Sequence, residues 1–420
     1  MTLSIFLYGL FNVLLLGGLS HYFFINLQNP IVGKFFYPAL VWKVVCGLCI
    51  GLLYKYHYGS GDTFYFFEQA KILAERPILE QIKEVFLTSI PHSQRSTLPM
   101  IKITSLVTVV TGSNYWLCSL YFSLASFFGA VFFVNNVNRR WPQLTLPAAM
   151  AFLFFPSIAF WSSGVLKESL AFGIITFLSG IYLKFDSGKL INSKMIVLAV
   201  ITAWLLILLK YYIAAVFLPL VGILLAVGYL EKNNSIYNSS KKVKFWILSG
   251  IILIGVLWGF SMQYNLNPLR LFFVVTENQA SLLASSSGSS IVYFDESRSK
   301  WFYIPNLFIA LFSGLFRPIF PEELTFPGVI SGLENVLVLS LASYAIWIKK
   351  WHNWSFSKDF MAVMVYVFLL SAILSYASPN FGTLARYKVY YMPFFVFLTS
   401  STLPFMKTNY LNWPGTSKYS

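Results

Sequence analysis

Residues 195–230, MIVLAVITAWLLILLKYYIAAVFLPLVGILLAVGYL, carry one charged side chain, Lys210. A helix needs about 20 apolar residues to cross a hydrocarbon core of roughly 30 Å. The run is long enough for two crossings, 195–209 and 212–230, meeting at Lys210-Tyr211-Tyr212. Similar runs recur along the chain. Of its 420 residues, 57% are hydrophobic and only 11% charged. A soluble domain carries about 25% charged residues, so this composition excludes a soluble surface. The sequence reads as an all-α, polytopic helical membrane protein.

About 11 crossings fit the pattern: 3–25, 36–55, 114–135, 145–162, 165–184, 195–209, 212–230, 244–262, 328–348, 359–377 and 387–405. The first has no basic n-region or small-residue cleavage site and reads as a retained helix. Short basic loops set the orientation. Arg139-Arg140, the lysines of 184–194 and 232–244, and Lys349-Lys350 with Lys358 can all be cytoplasmic together. The N-terminus then lies outside and the C-terminus inside. This holds if 302–320 is a re-entrant or interfacial helix ending at Arg317-Pro318. The whole of 1–420 is one transmembrane domain on this reading, with outward loops at 56–112 and 263–327. In the first loop, Phe64 to Leu87 is amphipathic, is divided by Pro77, and is expected along the membrane interface. The second contains the Ser-rich patch Ser281 to Ser290.

The excess of 30 Lys and Arg over 15 Asp and Glu is topological, so no nucleic-acid partner is expected. The three cysteines and four histidines form no disulfide framework or metal-ligand spacing. No cofactor follows from them, although a carboxylate such as Asp62 could hold a divalent cation.

Five places could carry chemistry. Asp62, on the glycine-rich turn Gly59-Ser-Gly-Asp-Thr63, could act as a general base or as a helix cap. Lys167 and Glu168 fall in a helix first turn after Ser162-Ser163-Gly164, either at an anion site or as solvated charges. Adjacent on a helix, they point about 100° apart. Lys210 is either functional or a snorkelling interfacial lysine, and snorkelling is the better reading for Lys43. Arg317, followed by Glu322 and Glu323, offers a fork for a phosphate or a partner for those acids. Arg386 and Tyr390 are four apart on one helical face, with Tyr387 and Lys388 between them. The topology turns all five places outward. Such a gathering suits a substrate with an anionic phosphate head and a lipid tail.

The Gly61-Asp62 turn, the many spans and Arg386-Tyr387 before the last helix resemble the membrane-embedded glycosyltransferases of the GT-C superfamily. They are also similar to the related O-antigen and exopolysaccharide polymerases of bacteria. The resemblance implies a polyprenyl-phosphate-linked sugar donor, a glycan acceptor and surrounding membrane lipids, at the outer face of a bacterial inner membrane. It assigns the acceptor base to Asp62. Lys167, Lys210, Arg317, Arg386 and Lys388 would meet the phosphate, with Glu168, Glu322, Glu323, Tyr387 and Tyr390 in support. The competing expectations are a transporter or flippase of a lipid-linked saccharide, and a non-catalytic envelope assembly subunit.

Overall fold

Every helix that starts or ends inside a membrane protein must find partners for its orphan backbone groups, and short polar side chains provide them here. The computed structural model describes residues 3–27, 29–59, 61–88, 97–233, 289–295, 299–348 and 357–406. The expected crossing at 244–262, the patch 281–288 and Lys349-Lys350 lie outside them. The chain forms two compact units, Met1–Tyr211 and Tyr212–Ser420. Among the described residues all regular structure is helical, and seven helices are long and apolar enough to cross a membrane. The protein is a multi-pass helical membrane protein.

The first unit contains α1 (Leu3–Asn26), α2 (Pro30–Leu53), α3 (Asp62–Ala74), α4 (Ile78–Leu87), α5 (Thr97–Val110) and α6 (Tyr115–Arg140). It continues with α7 (Thr145–Ala149), α8 (Pro156–Trp161), α9 (Lys167–Asp186) and the start of α10 (Ser193–Asn233). Asn29 caps α2 by accepting from the Ile31 and Val32 amides, and Asn114 caps α6 in the same way. Pro77 separates α3 from α4, as its position in the sequence suggested.

The centre of this unit is the pair α6 and α9. A Cβ on Gly129 would collide with the Gly173 backbone, and one on Gly173 with the backbone at Ala125 and Ser126. Only glycine lets the two helices approach so closely, the small-residue packing typical of membrane helices. The two run parallel, with Arg140 and Asp186 joined at 3.3 Å where both helices end. Residues 142–166 must therefore return the chain. After a 3₁₀ turn at Pro142–Leu144, the expected single helix 145–162 is instead broken into α7, a π turn at Met150–Phe154, and α8. Pro156 accounts for the break before α8, because proline lacks the amide a continuous helix needs.

The two segments expected to meet at Lys210 do so: the helix over 193–233 is interrupted there, where φ of −147° and ψ of 68° leave the helical region. One further expectation changes. The expected span 387–405 is short pieces.

The second unit continues α10 and adds α11 (Tyr303–Phe316), α12 (Phe326–Trp347), α13 (Lys358–Ala377), α14 (Phe381–Tyr387) and α15 (Met392–Ser400). A 3₁₀ turn at Lys388–Tyr390 separates the last two. At 14 residues α11 is about 21 Å long, too short to cross. It packs along α13, where Gly314 faces the Ser371 carbonyl with no room for a Cβ.

A Gly129→Val change should cost roughly 3 kcal/mol through overpacking against a backbone that cannot move aside. Thermal unfolding in detergent should show a large downward shift. Gly222→Ala, with no neighbour within 4 Å of the added Cβ, should leave the transition near that of the parent.

Candidate functional site

The turn from α2 to α3 decides where Asp62 stands. A π-helical turn, Tyr54–Tyr58, ends α2, and Gly59 and Gly61 follow with φ of +68° and +144°. The Tyr54 ring lies directly against Gly61, in the space a Cβ would fill. Both glycines are thus required by the backbone, and one of them also by contact. The cap of α3 is Gly61, so Asp62 is the first helical residue and not the N-cap expected from the sequence. Its carboxylate still sits at the positive end of the helix. The Thr63 and Tyr115 hydroxyls, 2.8 Å apart, pin this first turn to the start of α6.

Beside it opens a cleft of about 410 Å³, lined by Lys55, Phe64, Phe67, Glu68, Tyr115 and Trp116. Phe64 stacks on Tyr115 with ring centroids 4.3 Å apart. The cleft is open and mostly apolar, with one cation and one carboxylate beside its aromatic surface. The sequence reading did not place Lys55, Glu68 or Trp116 among the site residues; they become neighbours only when α2, α3 and α6 meet.

Lys167 and Glu168 diverge as adjacent helical residues must. Glu168 is fully buried and accepts from the Lys210 ammonium at 2.9 Å. Lys210 is itself buried, at the interruption in α10, so it is not a snorkelling lysine. Lys167 turns the other way, toward α3. Its Nζ lies 5.1 Å from the centre of the Phe66 ring and 3.5 Å from Thr97 Oγ1. Phe66 is one turn beyond Asp62, so the ammonium lies on the face of α3 that begins with Asp62. The first unit thus brings Asp62 and Lys167 to one helix face and draws Lys210 and Glu168 into an internal pair.

Lys43 also departs from expectation. It does not snorkel: it is buried near the middle of α2 and donates to Ala159 O and Ser162 Oγ. Those atoms end α8, where carbonyls lack intrahelical partners and a cation is favoured. The following loop is held by serines. Ser126 Oγ donates to Ser162 O at 2.6 Å, and Gly164 N donates to Ser123 Oγ at 3.0 Å. A mid-span lysine was the signal, since an intramembrane charge must find an internal partner.

In the second unit α11 ends in a parallel arrangement. Lys388, also buried, donates to Leu315 O at 3.3 Å and to Asn335 Oδ1 at 2.9 Å. Tyr391 donates to Gly314 O. Arg317 follows the helix and pairs with Glu322 through both Nε and Nη2, each at 2.8 Å. Its guanidinium covers the Phe381 ring at 5.2 Å. Of the two acids offered by the sequence, Glu322 is the partner, whereas Glu323 accepts from Thr325 Oγ1. Residues 289–295 lie against 379–381, and Tyr293 donates to Ser375 O. Burial pushes the Tyr293 phenol up to about 12, while the Ser375 hydrogen bond and Arg317 pull against that rise.

The expected common face of Arg386 and Tyr390 is absent. The helix ends at Tyr387 and continues as a 3₁₀ turn, which leaves Arg386 half-buried and Tyr390 fully buried. Tyr387 and Tyr390 are tilted neighbours with centroids 6.4 Å apart. Among the described residues no group of three or more His, Cys, Asp or Glu side chains converges as a metal-ligand set. No family model, curated protein or solved structure matches the chain.

Removing one member of the buried Glu168–Lys210 pair should destabilise the protein by roughly 3–5 kcal/mol, because the other charge is stranded. Glu168→Leu alone should lower the unfolding temperature strongly. The double change Glu168→Leu/Lys210→Met should recover most of the loss. Equal loss in the single and double variants would show that the pair is not the source of the stability.

Proposed function

We propose that the protein is a membrane glycosyltransferase of the GT-C kind, or a related polysaccharide polymerase. In this reading it uses a polyprenyl-phosphate-linked sugar at the outer face of a bacterial inner membrane. The observation that carries this reading is the shared face of α3, where Asp62 begins the helix and Lys167 is held one turn later. A carboxylate and an ammonium one turn apart match the two needs of sugar transfer from a lipid phosphate. One accepts a proton and the other meets an anion. The adjoining cleft, with Glu68, Lys55 and the Trp116 and Phe64 rings, supplies surface for a sugar.

In the proposed reaction Asp62 takes the proton of the acceptor hydroxyl as its oxygen bonds to the anomeric carbon of the donor. The bond from that carbon to the phosphate oxygen breaks, and the lipid phosphate leaves with the electron pair. Lys167 stabilises this anion, as preorganised charge does where charge develops. Arg317 and Arg386 are the corresponding candidates in the second unit. Lys210, Glu168 and Lys388 act as positioning residues, since their described contacts are internal. The proposed topology keeps the N-terminus outside and the C-terminus cytoplasmic. It includes the broken segments among about 11 crossings and makes α11 re-entrant.

Purified protein in lipid, given polyprenyl-linked sugars and a glycan acceptor, should form a new glycosidic product. Asp62→Asn should lower the rate about 10²- to 10⁴-fold, the usual loss of a general base, with an unchanged elution profile. Lys167→Ala should lower it as well. Saturable binding of the lipid-linked sugar with no product from the parent would instead favour a transporter.

A further inference from the structure

The helix α4 presents three different sides. With about 100° between successive residues, Ile78, Ile82, Phe86 and Leu79 share one arc. All four are exposed, at 67%, 45%, 71% and 63%. A second arc carries the exposed charges Glu80 and Lys83, with Leu87 as its one apolar member. The third faces protein, where Gln81 is buried and donates to Ser105 O of α5 at 3.3 Å. The buried Lys102, also on α5, donates to Thr88 O at the end of α4. The helix is thus tethered near both its middle and its end, with its apolar arc turned away from the unit.

The neighbours fix where that arc lies. The first residue of α5, Thr97, stands beside Lys167 at the start of α9. The last residue of α5, Val110, accepts at its carbonyl from Asn12 of α1. The first turn of α3 is pinned to the start of α6. So α3 packs at the start of α6, α5 runs from the start of α9 to the first half of α1, and α4 sits against the outer side of α5. At 10 residues, α4 is about 15 Å long and cannot cross a bilayer.

We infer that α4 is an in-plane membrane helix whose Ile78, Leu79, Ile82 and Phe86 side chains enter the lipid interface. Three arcs, of lipid, water and protein, are what such a helix requires. The occupant is bilayer lipid for two reasons. The apolar arc adjoins helices that themselves expose apolar side chains, including Leu106 and Val109 of α5. The charged arc mixes Glu80 with Lys83, giving no uniform charge for a nucleic acid or an oppositely charged protein to match. The assignment narrows the amphipathic reading of Phe64 to Leu87 to its second half. Phe66, Phe67, Ala70 and Leu73 of α3 are core, Tyr65 and Ile72 are its exposed apolar residues, and in α4 the whole apolar arc is exposed.

Spin labels would test this in the full chain, reconstituted in phosphatidylcholine vesicles. Cys46 and Cys118 are buried, so only the exposed Cys49 need be changed to serine, and the labelled Cys49→Ser parent serves as blank. Ile82→Cys and Phe86→Cys should collide several-fold more with oxygen, and less with a water-soluble nickel chelate, than Glu80→Cys and Lys83→Cys. Equal nickel access at all four positions would place the arc in water and overturn the inference. Immobile spectra at positions 82 and 86, shielded from both reagents, would mean a covering protein and overturn it equally. Because no substrate is used, the result is independent of the sugar-transfer reading.

Discussion

A helix that stops within a membrane protein leaves carbonyl oxygens that neither lipid nor water can satisfy, and this constraint organises both units. The chain meets it twice with a buried lysine from a neighbouring segment. Lys43 reaches the end of α8, and Lys388 reaches the end of α11. In each case the ammonium also bonds a side-chain oxygen, Ser162 Oγ or Asn335 Oδ1. The lysine gains from the negative end of the helix, and the carbonyls gain a donor. At the end of α8 the Ser163 hydroxyl adds a second donor to Ala159 O. Each lysine is thus tied to the broken segment it serves.

The breaks matter because they put irregular backbone beside the candidate groups. Loop 162–166 is fixed by Ser123 and Ser126 before α9 begins at Lys167. The end of α11 is fixed by Lys388 and Tyr391 before Arg317 emerges. In both units, then, a basic residue follows a helix break whose geometry is held by buried hydrogen bonds. That is an arrangement by which a scaffold can aim a charge from a fixed backbone position.

Much of the architecture was legible in the sequence. Apolar runs of suitable length identified the long helices, and Pro77 and the Arg317-Pro318 step marked where segments would stop, whereas the break at Pro156 fell inside an expected span. What could not be read was partnership. Lys43 and Ala159 are 116 positions apart, and Glu168 and Lys210 are 42 apart. Local periodicity holds no information about such pairs, so Lys43 looked like an interfacial lysine. The face shared by Arg386 and Tyr390 failed for a local reason. It assumed α-helical spacing through Lys388–Tyr390, where the chain tightens to 3₁₀. The cleft beside Asp62 was invisible because Lys55, Glu68 and Trp116 come from three elements with no common motif.

The adjacency of Lys167 and Glu168 joins these strands of argument. Two neighbouring helical side chains cannot point the same way, so fixing one direction fixes the other. Glu168 is committed inward by its bond to Lys210, which sits at the interruption of α10. Lys167 must then project toward α3, and its ammonium does lie against Phe66. The direction of a candidate catalytic charge thus rests on a buried ion pair. If α10 changed its bend at Lys210, the first turn of α9 would have to follow or lose the pair, and the ammonium over Phe66 would shift with it. A structural ion pair and a candidate reaction centre are one mechanical unit here, because they occupy successive residues of the same helix.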